Sequence, residues 1–341
     1  MAVKNWILFC AIFAISNYTH ADVSAARDAL TQQEGDATEE KSLEEVFEAT
    51  ENTYSLQAKG ESSLSYSMSY SYSADQRIDV DILNGQVRAF DVNPSSVHNL
   101  SNNFSFDYGY KNNLTLGVTV PLSVKYDSVD SLTGSGLGDV SINARWQPYA
   151  YIPGQVTKTF NGSFKTKTGD SPFRTISNKR LATGSGYYSL SGGLSLSKVV
   201  DPVMLFGSGN ITYGIPETDV NQIRSGSVLE EVRPGVSLSL SGGFAYSLSY
   251  DVSLSISFQG SYTDKSKYIF LSQNSEGQLV NNEVATNSTM SGVFNMSLGI
   301  RVSPKTITNV GVGFGMTDDA PDILLTLSMP IDIDGLKAKA E

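Results

Sequence analysis

Cysteine is almost missing from this chain of 341 residues: the one cysteine is Cys10, close to the N-terminus. Residues 1–21 are expected to form a signal peptide, because Lys4 precedes an apolar run and Ala21 supplies a small residue at a cleavage site. Cleavage there would leave a mature chain with no cysteine, and this excludes disulfides and thiol chemistry.

Histidine is equally scarce, since the mature chain would keep only His98. One histidine without cysteine disfavours a transition-metal site, so no metal or cofactor is expected. A Ser-His-acid catalytic site needs its base beside the nucleophile. His98 has serines near it only because serine is abundant everywhere, and we interpret it as a solvated loop or lumen residue. The prediction is that the protein is not an enzyme.

Charge and long apolar runs are also limited. Charged residues make up 17% of the chain, and its net charge is −11. Residues 22–61 hold 11 Asp and Glu against 3 Lys and Arg, and the remainder is nearly balanced. No basic patch exists, so nucleic acid is not an expected partner. Beyond the N-terminus there is no run of 18 apolar residues that would predict a transmembrane helix.

What the sequence has instead is long segments of strict alternation, beginning with "SLSYSMSYSYS" at residues 63–73. A side-chain period of two predicts strands with one hydroxyl face and one large apolar face. The predicted strands are 62–82, 97–110, 114–126, 138–148, 156–167, 185–198, 203–214, 235–248, 252–263, 290–302, 306–316 and 322–333. Many exceed ten residues, the length that a tilted strand needs to cross a bilayer.

The connections between these strands alternate between short and long. The long ones are about 83–96, 127–137, 168–184, 215–234 and 264–289. Short periplasmic turns and long extracellular loops are typical of outer-membrane barrels. The sequence therefore predicts an all-β fold, a 12-stranded antiparallel transmembrane β-barrel over residues 61–334. A periplasmic tail, 335–341, would follow it, and the barrel would lie in the outer membrane of a Gram-negative bacterium.

In such a barrel the apolar faces contact the lipid bilayer and lipopolysaccharide, and the polar faces line the lumen. The residues that we expect to line the lumen are Ser65, Ser67, Ser69, Lys165, Lys167, Ser239 and Ser255. The two lysines, with Arg145, would either give a mild preference for anions or pair with luminal carboxylates. A lumen of small hydroxyl side chains suits passage more than catalysis.

Residues 22–60 form an acidic segment that is expected to be helical. Ser42 and Glu45 fit a capping box, and a helix over 43–57 would end before Gly60. One face of this helix would carry Leu43, Val46, Phe47, Thr50 and Tyr54. Two positions are compatible with that pattern: packing on the outside of the periplasmic rim, or insertion into the lumen as a plug.

Two motifs, "GSGLGDVSINARW" at 134–146 and "LATGSGYYSLSGGLSLSKVVDPVMLFGS" at 181–208, resemble the transporter or phenol-degradation MetA-pathway family of outer-membrane barrels. Within that family, residues 42–79 and 112–127 resemble the FapF-like exporters of functional-amyloid systems. The resemblance implies a trimeric 12-stranded barrel with a plug helix that passes unfolded amyloid subunits to the cell surface.

The resemblance implies two possible functions. The first is export of unfolded amyloid subunits through a pore gated by the N-terminal helix. The alternative is passive uptake of hydrophobic or aromatic small molecules, as the name of the broader family implies. A hydroxyl-lined lumen favours the first, whereas luminal aromatic residues or a lateral opening would favour the second.

Overall fold

The structure, a computed structural model, describes residues 56–83, 86–152, 154–174, 180–218, 220–224, 227–273, 278–303 and 306–332, with only the backbone between 75 and 95. The expected signal peptide, nearly all of the expected helix and the expected tail lie outside these residues. Leu56 and Gln57, the described end of the expected acidic helical segment, are not helical. No helix in the described part is long and apolar enough to span a membrane.

Long runs of alternating residues form the strands of one large antiparallel sheet, as their period of two requires. The described strands are β1 (Ser62–Leu83), β2 (Gln86–Lys111), β3 (Leu114–Asp127), β4 (Leu132–Leu137), β5 (Ser141–Trp146), β6 (Thr157–Lys165), β7 (Ser189–Val200), β8 (Val203–Gly214), β9 (Gln222–Arg224), β10 (Ser227–Arg233), β11 (Ser237–Ser249), β12 (Val252–Thr263), β13 (Lys267–Gln273), β14 (Leu279–Ala285), β15 (Thr289–Ser303), β16 (Thr306–Gly315) and β17 (Ile323–Ile331).

The large sheet closes into a barrel because β1 pairs with both β2 and β17, and β2 pairs with β3. Both β4 and β5 pair with β3, over successive halves of its length, so together they occupy one position in the wall. Counting them once gives twelve positions, which confirms the predicted 12-stranded antiparallel barrel.

Four predicted loops contain strands. The sequence 83–96 was expected to be a loop, but β1 and β2 pair with each other from Ser62 to Leu83. Their pairing with the rest of the barrel stops at Tyr72 and Val97. Beyond these residues the two strands form a ribbon of about 35 Å, at ~3.3 Å per residue. The prediction of a loop is wrong here, because β2 begins at Gln86 and the predicted strand begins only at 97.

The expected loops 215–234 and 264–289 were also assigned too little structure. They supply β9, β10, β13 and β14, which form a separate four-stranded sheet in the order β14-β13-β10-β9. The expected loop 127–137 contains β4, and the strand expected at 138–148 is β5, Ser141–Trp146. β4, β9 and β14 each pair with a strand that is next to them in sequence, and only the pairing of β10 with β13 joins distant segments. Strands of three to seven residues contain too few alternating positions to be predicted from the sequence.

Candidate transport pathway

The two faces of the barrel wall differ sharply in exposure. On β3, Leu116, Val118 and Val124 are exposed by 39–49%, whereas Thr115 and Ser123 on the opposite face are buried. Large apolar side chains with this exposure recur around the barrel, as Leu240 and Phe258 illustrate. An apolar belt of this extent cannot face water in a stable monomer. It is the lipid-contacting surface of an outer-membrane barrel.

Aromatic side chains mark both borders of this belt. Tyr108, Tyr110, Trp146 and Tyr250 are exposed near the short turns. At the end with the long loops, His98 lies among Tyr70, Tyr72 and Tyr126, with ring centroids 4.9–6.1 Å apart. The Tyr70 hydroxyl is 2.8 Å from His98 Nδ1. Amphipathic rings favour the level of the lipid headgroups.

The position of His98 corrects the interpretation of it as a loop or lumen residue. It belongs to β2, and it has the same parity as the exposed Phe104 and Phe106. Side chains two residues apart on a strand share a face, so His98 is part of the outer aromatic band.

Serine and threonine on the inner face bond to one another across neighbouring strands. Such pairs include Ser105–Thr119 at 3.0 Å, Ser191–Thr212 at 2.8 Å and Ser208–Ser241 at 2.7 Å between hydroxyl oxygens. Among the residues expected to line the lumen, Ser67 accepts a 3.4 Å hydrogen bond from the Asn103 amide. Hydroxyls that satisfy each other leave a polar wall with little capacity to hold a passing solute.

The other expected lumen residues lie on the same face as these hydroxyls. Ser65 and Ser69 are opposite Ser105 and Ser101 on β2. Ser239 is half-buried beside Asn210 and Ser261, and Ser255 is buried beside Ala245 and Ser297. Directly opposed residues share a face of the sheet. The parity of the strands therefore places all four serines away from the lipid-contacting residues.

The three cations that were expected near the lumen differ in their neighbours. Arg145 on β5 forms a 3.0 Å ion pair with Asp107 on β2, and both side chains are largely buried. Lys165 ends β6, with its Nζ atom 5.5 Å from the centroid of the Tyr187 ring. Lys167 lies beyond the strand and pairs with Glu217 at 2.5 Å. Each of these cations therefore has a neighbour that compensates its charge or stabilises it.

An apolar cluster interrupts the polar inner face, and sequence reasoning missed it. Val199, Met204, Phe206 and Ala245 are only 4–7% exposed and contact one another. Met204 is directly opposite both Val199 and Ala245, and Ala245 is opposite Ser255. Cross-strand pairs share a face, so this cluster lies on the inner face. All four residues are close to the short turns, at the end that we assign to the periplasm.

The segment that leads into β1 turns towards the same inner face. The Gln57 N–H donates a 2.8 Å hydrogen bond to Thr115 Oγ1, which is on the buried side of β3. Next to it, the Gly60 N–H donates to the Gly109 carbonyl at 2.8 Å. Any side chain at Gly109 would collide with the Ala58 carbonyl, so only glycine lets this segment approach the wall. Residues 57–60 are therefore bound to the barrel at its short-turn end.

At the opposite end, the wall has a discontinuity. β4 pairs with β3 on one side, but no described strand pairs with its other side. Residues 166–174 and 180–188 cover this position instead, through hydrogen bonds from Leu181 N–H to the Thr133 carbonyl and from Thr183 Oγ1 to the Leu137 carbonyl. The Asp139 carboxylate holds the same segment by accepting hydrogen bonds from Gly169 N–H at 3.1 Å and from Ser185 N–H and hydroxyl, both at 2.6 Å.

These contacts explain the two glycine-rich motifs at 134–139 and 181–186, because the segments pack directly on each other. Beside them lies a cavity of about 510 Å³, which is lined by residues within 167–174 together with Arg180, Gly186, Glu217 and Val220. Its charged groups include the ion pairs Lys167–Glu217 and Arg180–Asp170. Burial, followed by the nearby Tyr268 and Asp139, raises the pKa of Tyr187 above its usual value.

No family model matches the chain. Among solved structures, the COG4313 outer membrane channel from Pseudomonas putida F1 has a TM-score of 0.59 at 14% identity, over 81% of this chain and 97% of that one. The translocator domain of autotransporter NalP from Neisseria meningitidis gives 0.45 at 10% identity, over 92% and 98%. A deletion mutant of the monoaromatic hydrocarbon channel TodX gives 0.44 at 11%, over 83% and 93%.

At these identities the likeness concerns the fold alone. The COG4313 structure is an outer membrane channel that matches 81% of this chain, and this agrees with the lipid-facing belt described above. The protein is therefore an outer-membrane β-barrel, with the fold of a structure that is itself a channel.

Proposed function

We propose that the protein is a FapF-like outer-membrane pore that exports unfolded amyloid subunits to the cell surface, with its N-terminal helix acting as a gate. The observation that carries this proposal is the entry segment: Gln57 is held at a luminal threonine, so the chain that precedes it starts at the pore mouth. A tether at this point favours insertion of the helix into the lumen over packing on the outer rim.

The apolar luminal cluster supplies a surface for such a helix. A helix of this length is marginal in water by itself, so its apolar face needs a partner. The cluster of Val199, Met204, Phe206 and Ala245 is close to the same pore mouth and is unusual in a hydroxyl-lined wall. Residues 43–55, as a helix, would reach about 20 Å from the tether at ~1.5 Å per residue. The expected apolar residues, Val46 and Phe47 among them, would pack on this cluster.

The hydroxyl wall is suited to the proposed cargo. An extended polypeptide presents backbone donors and acceptors along its whole length, and these must exchange hydrogen bonds with their surroundings as the chain advances. Serine and threonine can both donate and accept. Their short side chains also leave space, and their pairing with each other keeps the affinity for the cargo low.

Single-channel conductance in planar bilayers tests the gate. Deletion of residues 22–55 should raise the conductance of the inserted barrel, and Phe47→Asp should do part of the same by weakening the apolar contact. Asn52→Asp is a matched control, because residue 52 would lie opposite the apolar face of the helix. If the truncated barrel conducts no better than the intact one, the segment is a tether or assembly element instead of a plug.

Deletion of the gene tests the cargo. Loss of surface amyloid, with the subunit retained in the periplasm, is the expected result. Co-purification as a trimer would agree with the oligomer that the family resemblance implies. Unchanged surface fibres would refute export.

The discontinuity beside β4 favours a second candidate, the passive uptake of hydrophobic or aromatic small molecules. A wall that is completed by residues 166–174 and 180–188, and not by a paired strand, could open sideways towards the membrane. Under this alternative the deletion strain keeps its fibres but grows poorly on an aromatic carbon source.

A further inference from the structure

The four-stranded sheet of the long loops ends in an unpaired edge. Its order is β14-β13-β10-β9, and no other strand of the described residues pairs with the far side of β14, Leu279–Ala285. β14 pairs with β13 along its whole length. Ala285 is opposite Lys267 at one end, and Leu279 is opposite Gln273 at the other. The edge is therefore a regular strand of seven residues.

The hydrogen bonds at one end of this pair show which backbone groups point outwards. The Thr286 N–H donates to the Ser266 carbonyl at 2.8 Å, so residue 286 directs its backbone groups to β13. In an antiparallel ladder this direction alternates with every residue. Leu279, Asn281, Glu283 and Ala285 must then direct their N–H and C=O groups away from β13, towards the open side.

Natural proteins usually protect such an edge with lysine, proline or a bulge. β14 has the sequence LVNNEVA, with no lysine or proline, and its pairing with β13 shows no register shift. Its one charged residue, Glu283, forms a 2.8 Å ion pair with Lys267. Leu279 and Val280 are exposed by 68% and 40%. The edge is thus neutral, regular and partly apolar.

The sheet behind the edge is anchored. Leu229 and Val232 of β10 are only 1% exposed and pack on Phe173, with Tyr268 and Phe270 of β13 alongside. A platform that is already ordered loses little conformational entropy when a further strand is added to it.

We propose that the β14 edge binds an extended segment of the exported polypeptide by β-strand addition. This inference rests on the proposed export function, and it adds a docking surface at the end of the barrel where the cargo would emerge. Backbone hydrogen bonds supply affinity in this mode of recognition. Val280, Asn281 and Asn282 favour a partner strand that is uncharged and rich in amides and β-branched residues, since stacked Asn and Gln side chains add to such pairing.

The binding test uses full-length protein in lipid nanodiscs and, as probe, a capped peptide of seven residues that alternates valine and asparagine. The peptide should bind, and it should slow hydrogen exchange at the outward amides of Asn281, Glu283 and Ala285. The same peptide with N-methyl groups on alternate residues should not bind. Absence of binding by the unmodified peptide, or equal binding by both peptides, would overturn the proposal.

Two substitutions at one position provide the matched control. Asn281→Pro removes an outward N–H and leaves the ladder to β13 intact, and proline is tolerated at such an edge. It should raise the dissociation constant of the peptide by about fivefold or more, because one backbone hydrogen bond to the peptide is lost. Asn281→Ala keeps the N–H and should bind as the unsubstituted protein does. Equal binding by the two variants would contradict strand addition, as would self-association of the protein through β14 without peptide.

In cells, the same pair separates docking from export. Cells with Asn281→Pro should still release the subunit, but they should retain fewer fibres at their surface than cells with Asn281→Ala. If cells that carry the unsubstituted protein retain the subunit inside, export itself is refuted. That outcome would not change the result of the peptide-binding measurement, so the two proposals can fail separately. Equal fibre retention by the two variants would count against a docking role for β14.

Discussion

Arginine on the lipid face of the barrel should destabilise the protein, whereas arginine one residue away on the inner face should be tolerated. Leu240 of β11 is 58% exposed, between Gly209 and Gly260 on the neighbouring strands. Ser239 is half-buried and faces the other way, beside Asn210 and Ser261. The pair therefore compares the same substitution on the two faces at one depth.

The depth of Leu240 sets the expected cost. It lies three residues before Gly243, the centre of Ser237–Ser249. A strand tilted by about 40° advances about 2.5 Å per residue along the membrane normal, so Leu240 is about 8 Å from the midplane. Arginine costs about 2–4 kcal/mol at the midplane and about 0–1 kcal/mol at the interface. Leu240→Arg should therefore lower the free energy of unfolding by about 2 kcal/mol.

Ile256 of β12 extends the test, because it lies within two residues of its strand's centre. Ile256→Arg should cost about 3 kcal/mol for the same reason. Ser239→Arg should change the free energy of unfolding by less than about 1 kcal/mol. Ser255 is a poor control, since it is only 5% exposed beside Ala245.

Urea-induced unfolding from lipid vesicles, followed by tryptophan fluorescence, provides the measurement. Equal losses for Leu240→Arg and Ser239→Arg would show that the assignment of the two faces is wrong. A loss for Ile256→Arg smaller than that for Leu240→Arg would show that the estimated depth is wrong.

Three further predictions concern the ends of the barrel. Asp139→Asn should lower the free energy of unfolding by about 2 kcal/mol, because hydrogen bonds to a charged acceptor are lost. It should also speed proteolysis within 166–188. Asp318→Asn is the control, and equal proteolysis rates for the two variants would contradict the anchoring role of Asp139. A cysteine at Ile223, 77% exposed in the loop sheet, should react with an impermeant maleimide on intact cells, and one at Gln155 should not; the reverse pattern would invert the topology. The hydrogen bond from Lys267 lowers the pKa of Glu283. The ion pair between these two residues therefore stabilises the loop sheet above the ordinary carboxyl pKa. This stabilisation is lost as pH falls below that value and through the lowered pKa. Amides of β13–β14 should then exchange faster at low pH after correction for intrinsic rates, and Glu283→Gln should remove this dependence.

The sequence alone determined the class of the protein, the number of strand positions in the barrel and its location in the outer membrane. Alternation is a local property: each residue of a strand points opposite to its neighbours whatever the strand pairs with. The boundaries of β8 and β12 agree with the predicted 203–214 and 252–263 for this reason. The signal peptide, the cargo and the part of the predicted helix 43–57 that precedes Leu56 stay predictions, as do the roles of the expected lumen residues.

Only the tertiary structure decided which distant segments meet. The cluster of Val199, Met204, Phe206 and Ala245 draws on three strands, and each strand contributes too few residues to be distinguished in an alternating sequence. The same holds for the pairing of β10 with β13, and for the contacts of Asp139 with Gly169 and Ser185. Register between remote strands depends on the closure of the whole barrel and on the packing of its loops. These contacts are not encoded in the period of any one segment.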